Sequence, residues 1–274
     1  MAKLKEMGRI LLRTGHIFVW YCLVCATWAA ALDLPQRVQV PPAEVPQYTV
    51  KRVVHGIAVD GRADETDWRS AAPIHFTFPW NDVEREAVQH TVAKMLWDEK
   101  NLFIIYICDD PYINAEIVDH DGATFNEDTV EVFATPNPDD LSKYYGYEMN
   151  ALGTLLDYIT FWRGGARMSG GRGWQSEGVQ LATTIDGTPN DDSDLDKGWI
   201  LEIAIPHDNF RHLGGRIPPR DGDMWRLNLN RCAGKTKGQY SVWSDTHAPR
   251  ASFHHALYFG KVFFSDRPVG NGAK

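Results

Sequence analysis

Short segments of alternating apolar and polar residues recur along most of this chain, and they constrain its fold more than any other feature. A period of two is typical of strands with two unlike faces, and clusters of Gly, Pro, Asn and Asp separate the segments. The segments with this pattern are 90–97, 102–108, 129–133, 144–150, 154–161, 179–185, 199–205, 224–231, 239–243 and 258–264. About ten or eleven regularly spaced strands predict an all-β fold, an antiparallel β-sandwich with one or two short helices.

The stretch Phe125–Phe133 combines a strand pattern with a cluster of polar residues. Alternation places Val130 and Val132 on one face of the strand and Glu131 on the other. A carboxylate on an inner face is unfavourable unless it is hydrogen-bonded or lies in a wet cleft. We therefore predict that one face of this strand lies in a core and the other at a polar site.

Other segments carry more local signals. Segment 102–108 is apolar on both faces and is predicted to be a central strand. Asp64 is predicted to cap a short helical turn that turns Trp68 inward. Pro206 is predicted to open a second short helix. The Gly-rich stretch 164–173 lacks the spacing of a phosphate-binding loop and is predicted to be a surface loop near the site.

The N-terminal 31 residues predict an export signal. Basic residues up to Arg13 precede an apolar run from Ile17 to Ala31, which closes with three alanines. The run has about 15 residues, whereas a membrane-spanning helix needs roughly 20. An uncleaved membrane anchor is the alternative. We therefore predict a secreted, periplasmic or cell-surface protein, with no membrane contact once the signal is removed.

The remaining chain is predicted to contain one domain. A Pro-rich arm or linker spans residues 32–47, the β-sandwich spans 48–265, and a disordered tail spans 266–274. An all-β unit can use more than about 200 residues as one domain.

The charge of the chain argues against nucleic acid as a partner. The net charge is −8, and residues 1–31 carry +3, so the rest of the chain carries −11. An acidic domain repels phosphate backbones but not neutral sugars or divalent cations.

Beyond the signal, Cys108 and Cys232 are the remaining cysteines. They could pair in an oxidising compartment or remain two separate buried thiols.

Saccharide binding is the first of three hypotheses for the site. Sugar C–H groups pack on aromatic faces, and sugar hydroxyls bond to carboxylates, amides and Arg. The candidate ligand-binding residues are Trp243, Phe125, Glu131, Glu148, Asn150 and Arg231. Glycoside hydrolysis is the second hypothesis. It needs two carboxylates at a defined separation, which Glu131 and Glu148 could provide.

Cofactor binding is the third hypothesis. The residues available as haem ligands are Met95, Met149, His90 and Met224. A lone Met in an alternating strand is far more often a core residue, and the C-x-x-C-H motif is missing from the sequence, so we expect no haem. Acidic residues around Asp60 and Asp64 could hold structural calcium, although helix capping and solvated surface explain them as well.

A series of short motifs resembles one known family. In order, they are DGRADETDW, AKMLWDEKNLFI, FNEDTVEVF, YYGYEMNALGT, DKGWILEIAIP, WRLNLNR, VWSD and FGKVFF. This combination, over roughly Tyr48 to Phe264, resembles the family 9 carbohydrate-binding modules. The resemblance implies an immunoglobulin-like or DOMON-like β-sandwich, often with structural calcium. It also implies a non-catalytic module that holds the reducing end of glucan or xylan chains between two Trp rings. Such modules are usually joined to xylanases, so a polysaccharide-degrading system is an expected partner.

The resemblance assigns roles to particular residues. Trp243, in VWSD, matches one of the stacking Trp residues, and Phe125 stands at the position of the second. Glu131 matches a polar contact of the binding members. Glu148 stands where the family has an Arg that bonds sugar hydroxyls, and Asn150 follows beside it. The resemblance therefore implies an exported domain of carbohydrate catabolism that stacks a sugar between Trp243 and Phe125.

Overall fold

The computed structural model describes residues 45–81, 88–163, 166–168, 173–234, 236 and 238–270. The predicted signal peptide and nearly all of the Pro-rich arm lie outside these ranges. Within them, no helix is both long enough and apolar enough to cross a membrane.

The described residues form thirteen strands. They are β1 (Gln47–Arg52), β2 (Ile74–His75), β3 (Thr91–Trp97), β4 (Asn101–Asp109), β5 (Thr129–Thr135), β6 (Lys143–Asn150), β7 (Leu155–Arg163), β8 (Ala166–Met168), β9 (Gln180–Asp186), β10 (Gly198–Pro206), β11 (Met224–Cys232), β12 (Tyr240–Val242) and β13 (Gly260–Pro268). The helices are α1 (Thr66–Ser70) and three 3₁₀ helices, Thr124–Asn126, His207–Leu213 and Ala256–Tyr258.

The strands make one curled sheet in the order β8-β7-β6-β5-β11-β13-β1-β3-β4-β10-β9, with β12 paired to β11 and β2 to β3. Its two halves face each other across a central core. The pairing is antiparallel except at β1, which runs parallel to both β13 and β3. The first strand thus joins the two halves by lying between β3 and the last strand of the chain.

The central core accounts for the strand patterns seen in the sequence. β4 is indeed central, between β3 and β10, and its two faces enter different apolar clusters. Ile104 lies in the central core, whereas Phe103 and Ile105 pack with Trp68 on the opposite face. The helix α1 covers that outer face, which is why this strand is apolar on both sides.

The helix α1 buries Trp68 completely, as predicted, but its start differs from the prediction. The residue before the first turn is Glu65 rather than Asp64, and no side chain caps the helix. Asp67 instead accepts hydrogen bonds from the backbone N–H groups of Val54 and His55, at 2.6 and 2.9 Å. These bonds tie the helix to the segment that follows β1.

Two predicted loop regions contain strand. β13 continues through Pro268, three residues beyond the predicted domain end, because it stays paired with β1 as far as Arg52. Val269 follows and is buried. In the Gly-rich stretch, Ala166–Met168 pairs with β7 as β8.

Candidate functional site

A pocket of about 360 Å³ lies on the face of β5, β6 and β7 that is turned away from the central core. Its floor consists of Glu131, Glu148, Leu156 and Tyr158. Cys232 at the end of β11 completes one side. The walls come from residues 125–126, from Tyr240 on β12, and from the loop 251–254.

The two carboxylates on the floor are brought together by strand register. Glu131 on β5 lies directly opposite Glu148 on β6 and opposite Asn230 on β11. Residues paired in this way have their Cβ atoms about 4.5–5.5 Å apart. Glu131 is 2% exposed and Glu148 is 3% exposed. Alternation in the sequence predicted the face of Glu131 correctly, and the hairpin places Glu148 beside it.

Neutral donors hold both carboxylates. Asn230 Nδ2 donates to Glu131 Oε2 at 3.1 Å, and the Tyr158 hydroxyl donates to Glu148 Oε1 at 2.5 Å. Burial, together with the neighbouring Glu148, raises the pKa of Tyr158 well above its usual value, so this hydroxyl keeps its proton. The floor is therefore rich in acceptor oxygens and suits a ligand that brings O–H or N–H donors.

Gly146 allows Tyr158 to reach Glu148. The two residues are directly paired between β6 and β7. A Cβ atom on Gly146 would lie 2.4 Å from Tyr158 Cζ and 2.7 Å from its hydroxyl oxygen. Because this position has no side chain, the Tyr158 ring can lie across the strand. A glycine inside a strand is a known sign of such a close approach.

We expect Gly146→Ala to lower the free energy of unfolding by about 1–3 kcal/mol, since the new methyl group must displace a buried ring. Gly173→Ala is the matched control because no atom lies within 4 Å of its added Cβ. Urea unfolding of the two variants measures the difference. Equal stability of both variants would show that the Tyr158 ring does not occupy this place.

The two cysteines in the described residues, Cys108 and Cys232, are free thiols. Cys232 Sγ lies 3.6 Å from Glu131 Oε1 at the pocket, and burial followed by Glu131 and Glu148 raises the thiol pKa well above its usual value. Burial raises the pKa of Cys108 to about 12. Of the two alternatives left open by the sequence, the structure has the separate thiols.

Aromatic side chains form much of the pocket wall. Phe125 is 41% exposed and Tyr240 is 42% exposed, so both present ring surface to solvent. Phe253 is buried and its ring centroid lies 6.1 Å from that of Tyr240. The His254 ring stacks on Phe133 at 4.8 Å, which fixes its position. The pocket thus combines an acceptor-rich floor with apolar walls.

Comparison with known proteins identifies the family to which this chain belongs. The sequence profile described as carbohydrate-binding family 9 matches residues 77–264, which include every residue of the pocket. The chain belongs to carbohydrate-binding family 9. The predicted resemblance is therefore confirmed, and the pocket is a feature of a family 9 carbohydrate-binding domain.

Individual relatives of this family 9 domain agree with the assignment. Endo-1,4-beta-xylanase A of Thermoanaerobacterium saccharolyticum is 25% identical over 212 residues, which are 77% of this chain and 16% of that protein. A putative carbohydrate-binding protein from Bacteroides uniformis has a similar fold, with a TM-score of 0.65 and 20% identity over 81% of this chain and all of that one. A family 9 module from Caldicellulosiruptor kristjanssonii, solved with cellotriose, has a TM-score of 0.55 and 12% identity, covering 83% of this chain and 98% of that one. The predicted β-sandwich is confirmed. The chain spans about a sixth of the length of the xylanase.

The family 9 domain does not form the predicted pair of facing rings. Trp243 is 9% exposed and belongs to the central core, where its ring packs edge-on against Tyr48 at 6.5 Å. Its ring also covers Gly260, where an added Cβ would lie 2.5 Å from Trp243 Cη2. Phe125 lines the pocket and Trp243 does not. The prediction for Trp243 is corrected because its ring packs in the central core and does not line the pocket.

Arg231 and Asn150 are also placed away from the pocket. Arg231 is 1% exposed, and its Nη2 lies 2.9 Å from Asp110 Oδ2 in a buried ion pair. Asn150 is fully buried; its Nδ2 donates to Ile117 O and to Glu127 Oε2, at 2.8 and 2.9 Å. Both side chains use their hydrogen bonds to hold neighbouring loops. The prediction that they contact a ligand is corrected accordingly.

Of the two predicted metal ligands, the structure brings Asp60 into a group of acidic side chains. Atoms of Asp60, Glu65 and Glu202 lie within 4.8 Å of one another, and Asp64 does not belong to this group. Glu202 is fully buried and accepts three hydrogen bonds, two from backbone N–H groups and one from Trp68 Nε1. The group can supply part of the oxygen shell of a calcium ion, and solvent would supply the rest.

Two of the three methionines considered as haem ligands are core residues. Met95 and Met149 are fully buried in the central core.

Several residues of the pocket were not predicted from the sequence, namely Asn126, Leu156, Tyr158, Cys232, Tyr240 and residues 251–254. The glycine inside β6 was a usable signal for Tyr158, whereas the loop 251–254 carries no pattern that marks it.

Proposed function

We propose that this domain binds a neutral xylan- or glucan-type oligosaccharide in the pocket above Glu131 and Glu148. The observation that carries the proposal is the pair of adjacent carboxylates at the bottom of an aromatic-walled pocket on a carbohydrate-binding family 9 domain. Its volume of about 360 Å³ falls in the range of pockets that hold small ligands. The neighbour solved with cellotriose supports a glucan-type ligand.

Each part of the pocket has a role in this proposal. Sugar hydroxyls donate to the Glu131 and Glu148 carboxylates, which cannot donate in return when ionised. One face of a sugar ring packs on the exposed ring of Phe125. Phe125 alone thus has the stacking role that was predicted for two facing rings. Tyr240 and Phe253 supply further apolar surface on the other wall.

Calorimetric titration with cellotriose and xylotriose tests the proposal. We expect binding by the full chain and a loss of affinity of about 10-fold or more in Phe125→Ala, because burying a Phe side chain contributes about 1.5–3 kcal/mol. Leu152→Ala is the matched control, since Leu152 is also 41% exposed and does not line the pocket. Absence of binding to any neutral oligosaccharide would contradict the proposal.

Glycoside hydrolysis is a second candidate because Glu131 and Glu148 face each other. Retaining glycosidases use two carboxyl groups about 5–5.5 Å apart, and Glu131 lies directly opposite Glu148 on the paired strand. Release of new reducing ends from xylan or glucan, lost in Glu131→Gln, would establish catalysis. Our proposal of a binding module expects no such release from the wild-type chain.

The cellular location of the domain and the system it serves are proposals as well. We infer that the domain is exported and serves a polysaccharide-degrading system, as its similarity to a xylanase suggests. N-terminal sequencing of the protein recovered from the cell exterior tests export, with a new N-terminus near Ala31 as the expected result. Recovery only inside cells, with the first residues intact, would contradict it.

We also propose that a structural calcium ion binds at Asp60 together with Glu65 and Glu202, in place of the predicted pair with Asp64. An ion that binds only the folded chain raises the unfolding temperature by mass action. Calorimetric scans with calcium and with EDTA should therefore differ, and Glu65→Gln should reduce the difference. Equal unfolding temperatures with calcium and with EDTA would contradict calcium binding at this group.

A further inference from the structure

Asp157 presents a buried carboxylate oxygen with no hydrogen-bond partner among the described residues. The side chain is fully buried on β7, and Ser176 donates to its Oδ2 from both the backbone N–H and the hydroxyl. Its Oδ1 has no hydrogen-bond partner among the residues that the structure describes. An unsatisfied buried carboxylate oxygen is unfavourable, and such atoms call for an explanation such as an ion.

Asp121 contributes a second carboxylate to the same group. Asp121 Oδ1 is also buried and has no hydrogen-bond partner within the described part of the chain. The residue adopts a left-handed backbone conformation, φ 63°, which Asp tolerates better than most residues. Its backbone N–H donates to Leu155 O at 3.0 Å, and this bond holds the loop against the start of β7.

A histidine completes the group. His120 Nε2 lies 3.7 Å from Asp121 Oδ1, and one ligand atom each of His120, Asp121 and Asp157 lies within 4.8 Å of the others. Gln175 contacts His120 Nε2 through its Oε1 and donates to Asp121 Oδ2 at 2.7 Å. One amide side chain therefore fixes the orientation of two members of the group, and a metal ion on His120 Nε2 would replace the Gln175 contact there.

We propose that His120, Asp121 and Asp157 form a binding site for a divalent transition-metal ion, with Zn²⁺ as the representative ion. Three mixed nitrogen and oxygen ligands plus solvent are a common zinc arrangement, and the imidazole favours such ions over Ca²⁺, which takes oxygen ligands. Zinc lies about 2.0–2.2 Å from such ligands, so a small inward movement of the three side chains closes the shell. The half-exposed His120 ring leaves a route from solvent.

The position gives the ion a structural consequence. Asp121 lies four residues before Phe125, which forms a wall of the pocket, and Asp157 lies between Leu156 and Tyr158 of the pocket floor. A bound ion links the loop of the wall directly to the strand of the floor. It binds the folded chain only, because the unfolded chain does not bring these residues together, so it stabilises the fold.

Zinc titration of the full chain, expressed without a histidine tag and competed against a chromophoric chelator, tests the proposal. We expect one Zn²⁺ per chain at this site and a higher unfolding temperature with zinc. His120→Ala and Asp157→Asn should each weaken binding by at least about 100-fold, more than the 10- to 100-fold that follows loss of a residue supporting a ligand. Asp121→Asn, which keeps the backbone conformation, gives a third variant should one of these fail to fold.

His247→Ala is the matched control, because His247 is 52% exposed and lies 3.3 Å from Asp245 as an ordinary surface pair. It should bind zinc as the wild type does. The proposal is overturned if the wild-type chain binds no zinc, or if Ca²⁺ binds this group as tightly as Zn²⁺. It is also overturned if folded variants of His120, Asp121 and Asp157 all retain wild-type affinity.

Discussion

Glu131→Gln should weaken oligosaccharide binding by about 10- to 100-fold, because a hydrogen bond to a charged acceptor contributes about 1.5–3 kcal/mol. The amide offers one acceptor oxygen where the carboxylate offers two, and its NH₂ group cannot accept a hydrogen bond from a sugar hydroxyl. The free energy of unfolding should change by less than about 1 kcal/mol, because the substitution also removes one of two like charges placed opposite each other. Calorimetric titration and urea unfolding of the same preparation measure both effects.

Glu177→Gln provides the control for this prediction. Glu177 is exposed and does not line the pocket, so the same chemical change there should alter neither affinity nor stability. Unchanged affinity in Glu131→Gln would show that the carboxylate pair does not contact the ligand. A large loss of stability would show instead that the pair supports the fold.

Arg231→Met should destabilise the fold by about 3–5 kcal/mol, because it leaves Asp110 as a buried charge without its partner. The guanidinium also donates to Asp109 O at 2.9 Å and to Thr91 Oγ1 at 3.0 Å, so several loop contacts are lost together. Folded Arg231→Met should still bind oligosaccharide with affinity close to that of the wild type, since Arg231 does not line the pocket. Urea unfolding and titration below the unfolding transition measure the two quantities.

The double variant Arg231→Met/Asp110→Leu sharpens this test. Replacing a buried ion pair by apolar residues is often close to neutral, so the double variant should recover part of the stability lost in the single one. Loss of affinity without loss of stability in Arg231→Met would contradict the structure and would favour the ligand-binding role first expected for this residue.

The sequence predicted the structure correctly where the prediction depended only on residues close together in the chain. The apolar run 102–108 identified β4, and the two-residue period identified β5 and placed Glu131 on a different face from the core residues Val130 and Val132. The position of Glu148 beside Glu131 could be predicted because Glu148 lies on the next strand along the chain, and neighbouring strands usually pair. The family resemblance supplied the sandwich, which periodicity alone could only suggest.

The errors arose where a side chain's place depends on distant partners. Trp243 has the same local pattern whether its ring faces solvent or core, and its burial depends on Tyr48 and Gly260 from other parts of the chain. Arg231 pairs with Val130, one residue away from the row that contains Glu131, and this register is not visible in either strand alone. A shift of one residue moves a side chain to the other face of a sheet.

Chemical-shift mapping of the isotopically labelled chain with cellotriose tests the central claim most directly. The account predicts that the largest shifts fall on residues 125–126, Glu131, Glu148, Tyr158, Tyr240 and the loop 251–254, which surround the pocket. The backbone around Trp243, which does not line the pocket, should change less. Shifts centred elsewhere on the sheet, or no shifts with any neutral gluco- or xylo-oligosaccharide, would contradict it.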